Sequence, residues 1–346
     1  MDKLVTHASL TSNDAFFRNI AISSLLDGIG IYHPWWKHFI KNNFPAIPAS
    51  ANKLRLVLGV GRSGTTWISN TLARTKTPVV YLEEPIYHVY PPVCLANKIE
   101  HTASPYIIKG GNSADRLLAT YRLLSDLNSR AYRDLLSKRL FPIKRDDPDA
   151  EVVLIKEVHA LLATEYLVSQ LDCRAILISR HYITVVDSIL NFSGIRDPLF
   201  WIEFNHINNK KFLSRYFEND TAAIEKIHKK ILNISDFRLK AIAVKALVVF
   251  LTQKMFTIIA ASHKNVMLIS YEEIMEDRDA MFEKMSGHLQ IEYSKGNYLF
   301  DDKNPTHERK ENNIARPDSE VFNRKGKFLS QDEIAYVEEI LAELCR

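Results

Sequence analysis

The stretch LRLVLGVGRSGTTW, Leu54 to Trp67, says more about this chain than any other. Its first half, Leu54–Val60, is a short apolar run ending at a glycine, the pattern of a parallel strand buried on both faces. Its second half, Gly61–Trp67, puts two glycines, three hydroxyl side chains and an arginine into one turn. A helical pattern then runs through Leu72. A strand, a glycine turn and a helix start together make an anion site. The first N–H groups of a helix have no partners within it, and the helix dipole favours negative charge there. Gly61 and Gly64 let the backbone turn tightly and approach a ligand. Ser63, Thr65 and Thr66 add hydroxyl donors, and Arg62 adds a permanent forked cation.

From Gly59 to Gly64 the spacing is that of a nucleoside triphosphatase loop, GxxxxG. Such a loop needs Lys and then Ser or Thr at the next two positions, and this chain has Thr65 and Thr66. The cation stands before the second glycine rather than after it. A P-loop kinase or triphosphatase is therefore an alternative with its key lysine missing. No carboxylate pair in the sequence marks a magnesium site, and no metal is expected.

Working outward, apolar runs recur at Val79–Leu82, Val152–Ile155, Ala175–Ser179 and Asn265–Ile269, with helical patterns between them. Strands alternating with helices specify an α/β fold. Its centre is a P-loop-like parallel sheet of about five strands with helices on both faces. Two long segments interrupt the rhythm. Residues 113–140 read as an arginine-rich amphipathic helix, and residues 196–262 as mainly helical. The expectation is a single domain over residues 1–346. Its core spans 54–195 and 264–346, and a helical insertion, 196–262, builds one side of a cleft at the strand ends. Residues 1–50, with the aromatic cluster Tyr32, Trp35, Trp36 and Phe39, read as a packing arm on that core. The alternative for the arm is an acceptor-binding or membrane-facing edge.

Bulk properties narrow the function. The chain has 346 residues, 46% of them hydrophobic, enough for a sizeable core, and a formal net charge of +4. So mild an excess suits a small anionic ligand. A nucleic-acid binder would carry a dense basic stripe, and none is visible. Cys94, Cys173 and Cys345 are scattered, which argues against a disulfide framework and a zinc site and fits a reducing compartment. The N-terminus shows no basic-then-apolar leader. The longest apolar run, Ala241–Ala261, contains Lys245, Gln253 and Lys254 and reads as a buried helix rather than a membrane span. The expectation is a soluble cytoplasmic protein. Peripheral contact with a membrane stays open, as does the oligomeric state.

Arg62-Ser63-Gly64-Thr65-Thr66-Trp67 resembles the 5′-phosphosulfate loop of the sulfotransferases that use 3′-phosphoadenosine 5′-phosphosulfate (PAPS), whose pattern is Lys/Arg-Ser-Gly-Thr-Thr-Trp after the first strand. A second motif supports the first. Arg180 follows the run Ala175–Ser179, and Ser188 lies eight residues on, in a helix. That is the spacing of the family's 3′-phosphate motif, although His181-Tyr182 replaces its usual Asn-Pro or Asp-Pro. Arg324-Lys325-Gly326 is similar to the family's C-terminal closing loop, without the Trp that follows it there. Asn265–Ile274, NVMLISYEEI, is similar to its last strand and Tyr-Glu turn. The resemblance implies that Gly61 to Thr66 hold the 5′-phosphate. It implies that Trp67 and Tyr271 lie near the adenine, and that Arg180, Ser188, Arg324, Lys325 and Gly326 take the 3′-phosphate. It further implies PAPS as sulfuryl donor, with PAP released, and a hydroxyl or amine acceptor. A non-catalytic PAP-binding protein is the other alternative.

A hydroxyl acceptor needs a general base, and two residues compete. Glu84 ends the run Val79–Leu82 in Glu83-Glu84-Pro85, about where tyrosylprotein and heparan-type sulfotransferases have a glutamate. His159, in LIKEVH, lies near the Lys-Thr-His of cytosolic enzymes but one residue further from Lys156. Glu84 is favoured, with Glu157 a third candidate and Lys156 placed to polarise the sulfonate. A glutamate-type base leans the acceptor toward carbohydrate or glycolipid.

Overall fold

The computed structural model describes residues 53–84, 117–118, 121, 143–146, 150–171, 173–192, 194–195, 198–293 and 328–345. The arm of residues 1–50, most of residues 113–140 and the tripeptide Arg324-Lys325-Gly326 lie outside these. Six strands form one sheet: β1 (Leu54–Gly59), β2 (Val79–Glu83), β3 (Ile143–Asp146), β4 (Val152–Glu157), β5 (Arg174–Ser179) and β6 (Val266–Ser270). The order is β3-β2-β4-β1-β5-β6. Five strands, from β2 to β6 across the sheet, run parallel, and β3 pairs antiparallel with β2 at the edge. This is the expected α/β, P-loop-like sheet with one added edge strand.

Ten α-helices are described. The loop after β1 leads into α1 (Thr65–Leu72), and α2 (Thr164–Gln170) precedes β5. After β5 come α3 (Tyr182–Phe192), α4 (Pro198–Ile207), α5 (Lys210–Tyr216), α6 (Thr221–Leu232) and α7 (Phe237–Ser262). After β6 come α8 (Tyr271–Glu276) and α9 (Arg278–Leu289), and α10 (Gln331–Leu341) closes the described chain. Residues 196–262 are thus mainly helical, as their pattern specifies.

Alternation along the central strand explains the two layers. Leu54, Leu56 and Leu58 of β1 join one buried cluster with Leu247, Val248 and Leu251 of α7. Val57 joins a second, across the sheet, with Ile68 and Leu72 of α1 and Phe282 and Leu289 of α9. Period-two side chains on a strand buried on both faces produce this division. Arg55 is the exception in the run. It is buried, and its guanidinium donates to the carbonyls of Leu289 and Leu54, so backbone acceptors near the end of α9 satisfy its charge. Helix α7 is long and apolar enough by composition to cross a membrane. However, 72% of its most apolar window is buried within the protein, where it packs on α3, α4, α10 and the sheet. Lys245, which interrupts its apolar run, is itself buried and lies 4.6 Å from the centre of the Phe200 ring.

Candidate functional site

Because five strands are parallel, their carboxyl ends meet along one edge. Each delivers a residue singled out by the sequence. The glycine loop follows β1, Glu84 follows β2, Lys156 and Glu157 end β4, Arg180 follows β5 and Tyr271 follows β6. Clefts at the carboxyl ends of open α/β sheets are where such folds bind ligands.

The loop after β1 is built for an anion. Helix α1 begins at Gly64 with no side-chain cap and no acidic residue in its first turn. The left-handed backbone falls at Arg62, φ 74°, and at Gly64, φ 91°. Of the two glycines, only Gly64 is demanded by packing: a Cβ there would stand 2.6 Å from the Tyr271 ring. A Cβ at Gly61 would meet nothing within 4 Å among the described residues, so that side of the loop is open to them. Ser63 is fully buried, and among the described residues its hydroxyl has no hydrogen-bond partner. A buried polar atom left in this way is costly unless a ligand or water completes it.

Two arginines converge on this loop. Arg62 donates from Nε to Ser188 Oγ at 3.1 Å, and its guanidinium lies 4.9 Å from the centre of the Phe192 ring. Arg180 donates from Nη1 to the Arg62 carbonyl at 3.1 Å. Burial first, and then the neighbouring Arg180 charge, lower the Arg62 pKa. No carboxylate of the described residues forms an ion pair with Arg62. Like charges brought together this way suit a polyanionic ligand. Gln253 of α7 anchors the Arg180 carbonyl at 2.5 Å, a role without a signal in the sequence.

The candidate bases form one cluster. Lys156 pairs with Glu84 Oε1 and lies 3.7 Å from Glu83 Oε1. His159 Nε2 lies 3.6 Å from Glu84 Oε2. Burial pushes the Glu84 carboxyl up, but the close approach of His159 and the Lys156 and His159 charges outweigh it. The carboxyl is held well below its usual range. For His159, burial works downward, and the nearby Glu84 carboxylate with the charges of Glu157 and Glu203 overrides it; the pKa is raised. Glu84 is therefore an anion, and its charge favours the protonated form of His159. Glu84 also has a left-handed backbone, φ 50°. A left-handed non-glycine residue is strained, and such residues concentrate at functional sites.

The remaining residues fall into place around these. Glu157 is fully buried, and its Oε1 accepts from the N–H groups of Val158 and His159 at 2.9 and 2.8 Å. Its carboxylate thereby shapes the turn that returns His159 to Glu84, despite the extra residue after Lys156. Thr66 Oγ1 donates to Glu83 Oε1 at 3.3 Å and so links the anion loop to the acid cluster. Trp67 packs edge-on against Phe282, centroids 5.4 Å apart, and Tyr271, 6.1 Å apart. Asp187, beside Ser188, accepts the N–H groups of Phe328 and Leu329, both at 2.9 Å. No local sequence signal marks this role, because its partners lie some 140 residues away in sequence.

No family model matches the chain, and no curated protein matches it in sequence. Among solved structures it is similar to a sulfotransferase from Alicyclobacillus acidocaldarius, at 12% identity and a TM-score of 0.37. The similarity spans 87% of this chain and 95% of that one. At that score the likeness carries no weight beside the residues themselves.

Proposed function

We propose that this chain transfers a sulfuryl group from PAPS to a hydroxyl acceptor. The observation that supports it most is the meeting of two motifs far apart in sequence: Arg62 bonded to Ser188, and Arg180 bonded to the Arg62 carbonyl. The open side of the loop at Gly61, the uncapped start of α1 and the buried Ser63 hydroxyl fit a 5′-phosphate. Arg180 and Ser188 fit a 3′-phosphate. Arg324, Lys325 and Gly326 are assigned to that phosphate by resemblance alone.

In the transfer, the acceptor oxygen bonds to sulfur while the bond from sulfur to the 5′-phosphate oxygen breaks. PAP leaves with that electron pair. Arg62 and the loop N–H groups stabilise the charge gathering on the leaving oxygen, and positioning and electrostatics supply most of the acceleration. The acceptor proton passes to Glu84, which is ionised and ready to take it. Lys156 is the cation proposed to polarise the sulfonate. Moving from Glu84 toward the donor, it would raise the proton affinity of that carboxylate at the moment a base is needed. His159 then steadies Glu84 from its other oxygen. Helices α4 to α7 are assigned to the acceptor side, and Glu203 of α4 is near enough for its charge to help hold the His159 proton. The glutamate base favours a carbohydrate or glycolipid hydroxyl. The scattered spacing of Cys94, Cys173 and Cys345 in the sequence suits a reducing compartment, and the cytoplasm is proposed.

Incubation with sulfur-labelled PAPS and a fractionated extract, followed by mass analysis, tests this. A component that gains one sulfonate while PAP accumulates is the expected result. PAP binding with no sulfonated product in any fraction would replace transfer with nucleotide binding alone.

A further inference from the structure

Tyr271 stands at the meeting point of the two phosphate motifs. Ser179 and Ser270 are paired in register at the ends of β5 and β6, so Arg180 and Tyr271 are the next residues on neighbouring parallel strands. Adjacent strands lie about 4.8 Å apart, and side chains leaving their ends side by side can stack. They do: the Arg180 guanidinium carbon is 4.3 Å from the centre of the Tyr271 ring. The ring is held in turn, because it lies where a Cβ on Gly64 would be 2.6 Å from it. Trp67 meets it edge-on. Arg180 is thus fixed by its carbonyl, which accepts from Gln253, by its Nη1, which donates to the Arg62 carbonyl, and by the aromatic face beneath it.

We propose that Tyr271 is a positioning residue. Its ring, acting through Arg180, orients the guanidinium for the donor's 3′-phosphate and so sets the preference for a 3′-phosphorylated nucleotide. This rests on the PAPS reading above. A direct adenine contact, which the resemblance implies for the same residue, predicts different behaviour, because adenine is common to PAP and ADP whereas the 3′-phosphate is not. A guanidinium held over an aromatic face gains about 0.5–2 kcal/mol, or about 2- to 30-fold in an equilibrium.

The test is titration calorimetry of the full chain with PAP and with ADP, both without magnesium. Tyr271→Met keeps an apolar side chain of comparable length but removes the ring. It should weaken PAP by about 2- to 30-fold and leave ADP within about twofold. Tyr271→Phe keeps the ring and should restore the wild-type ratio. Combining Tyr271→Met with Arg180→Ala should add nothing to the loss caused by Arg180→Ala alone, since the ring acts through that arginine. Equal loss of PAP and ADP in Tyr271→Met would overturn the proposal in favour of an adenine contact. So would an unchanged ratio. Should Tyr271→Met not fold, Tyr271→His retains an aromatic face and must keep most of the preference. A wild-type chain without any preference for PAP would sink the PAPS reading itself, a failure seen before any variant is made.

Discussion

At Glu84 a carboxylate faces a lysine and a histidine, and its chemistry follows from them. Held low by His159 and Lys156, it stays ionised in mild acid. Turnover by the wild-type chain should therefore persist below about pH 6, where a histidine base near its reference pKa would be lost. Glu84→Gln removes the proton acceptor but not the size. PAP affinity should hold while kcat falls by about 10²–10⁴-fold. An active Glu84→Gln beside an inactive His159→Ala would reverse the roles. The two groups also imprint opposite pH dependences on stability. The pKa of His159 is raised by folding, so its contribution is complete below about pH 6.5 and fades as pH rises through the folded value. The pKa of Glu84 is depressed, so its contribution is present above about pH 4.3 and fades only as pH falls through the folded value. Urea unfolding of wild type and His159→Gln should accordingly show a larger stability gap at about pH 5.5 than at about pH 9. An equal gap at both would mean that His159 does not gain its proton on folding. Gly64→Ala carries a double penalty, a left-handed backbone and a methyl against Tyr271. It should cost about 1–3 kcal/mol of stability.

At the scale of elements, the sequence revealed the strands whose pattern was continuous and apolar, because burial on both faces leaves no polar alternation to misread. β3 escaped. Its four residues, Ile143-Lys144-Arg145-Asp146, are mostly charged, as the residues of an edge strand tend to be. The last helix begins at a capping box: the Ser330 side chain accepts from the Glu333 N–H while Glu333 returns to the Ser330 N–H. What holds α10 in place was not legible, since long-range side-chain contacts leave no local signature. Asp187 grips the N–H groups of Phe328 and Leu329, and Arg238 of α7 donates to the Phe328 carbonyl and to Glu333. Replacing Asp187 by Ala should cost about 1.5–3 kcal/mol, the range for a hydrogen bond to a charged group. Amide exchange at Phe328 and Leu329 should speed up well ahead of exchange in β1. Unchanged protection at these two amides would show that Asp187 is not their anchor.

Across the whole molecule, the site is a product of the parallel sheet. Separate motifs acquire a common purpose only because β1, β4 and β5 are neighbours and all end on the same side. The sequence exposed the ingredients: a glycine loop, an arginine with its serine, and two acids beside a lysine and a histidine. It could not show that Glu84 and His159 belong to one cluster, that Glu157 is a buried turn-former, or that Tyr271 carries Arg180. Each of these depends on chain segments brought together from a distance. The central claim is that the converging arginines recognise a nucleotide with a 3′-phosphate. Thermal unfolding of the full chain with PAP, ADP or ATP–magnesium at equal concentration tests it most directly, because a ligand that binds the native state raises the melting temperature, and at equal concentration the tighter ligand raises it more. PAP should raise the Tm most, and should do so without magnesium. A larger shift with ATP–magnesium than with PAP would contradict the account.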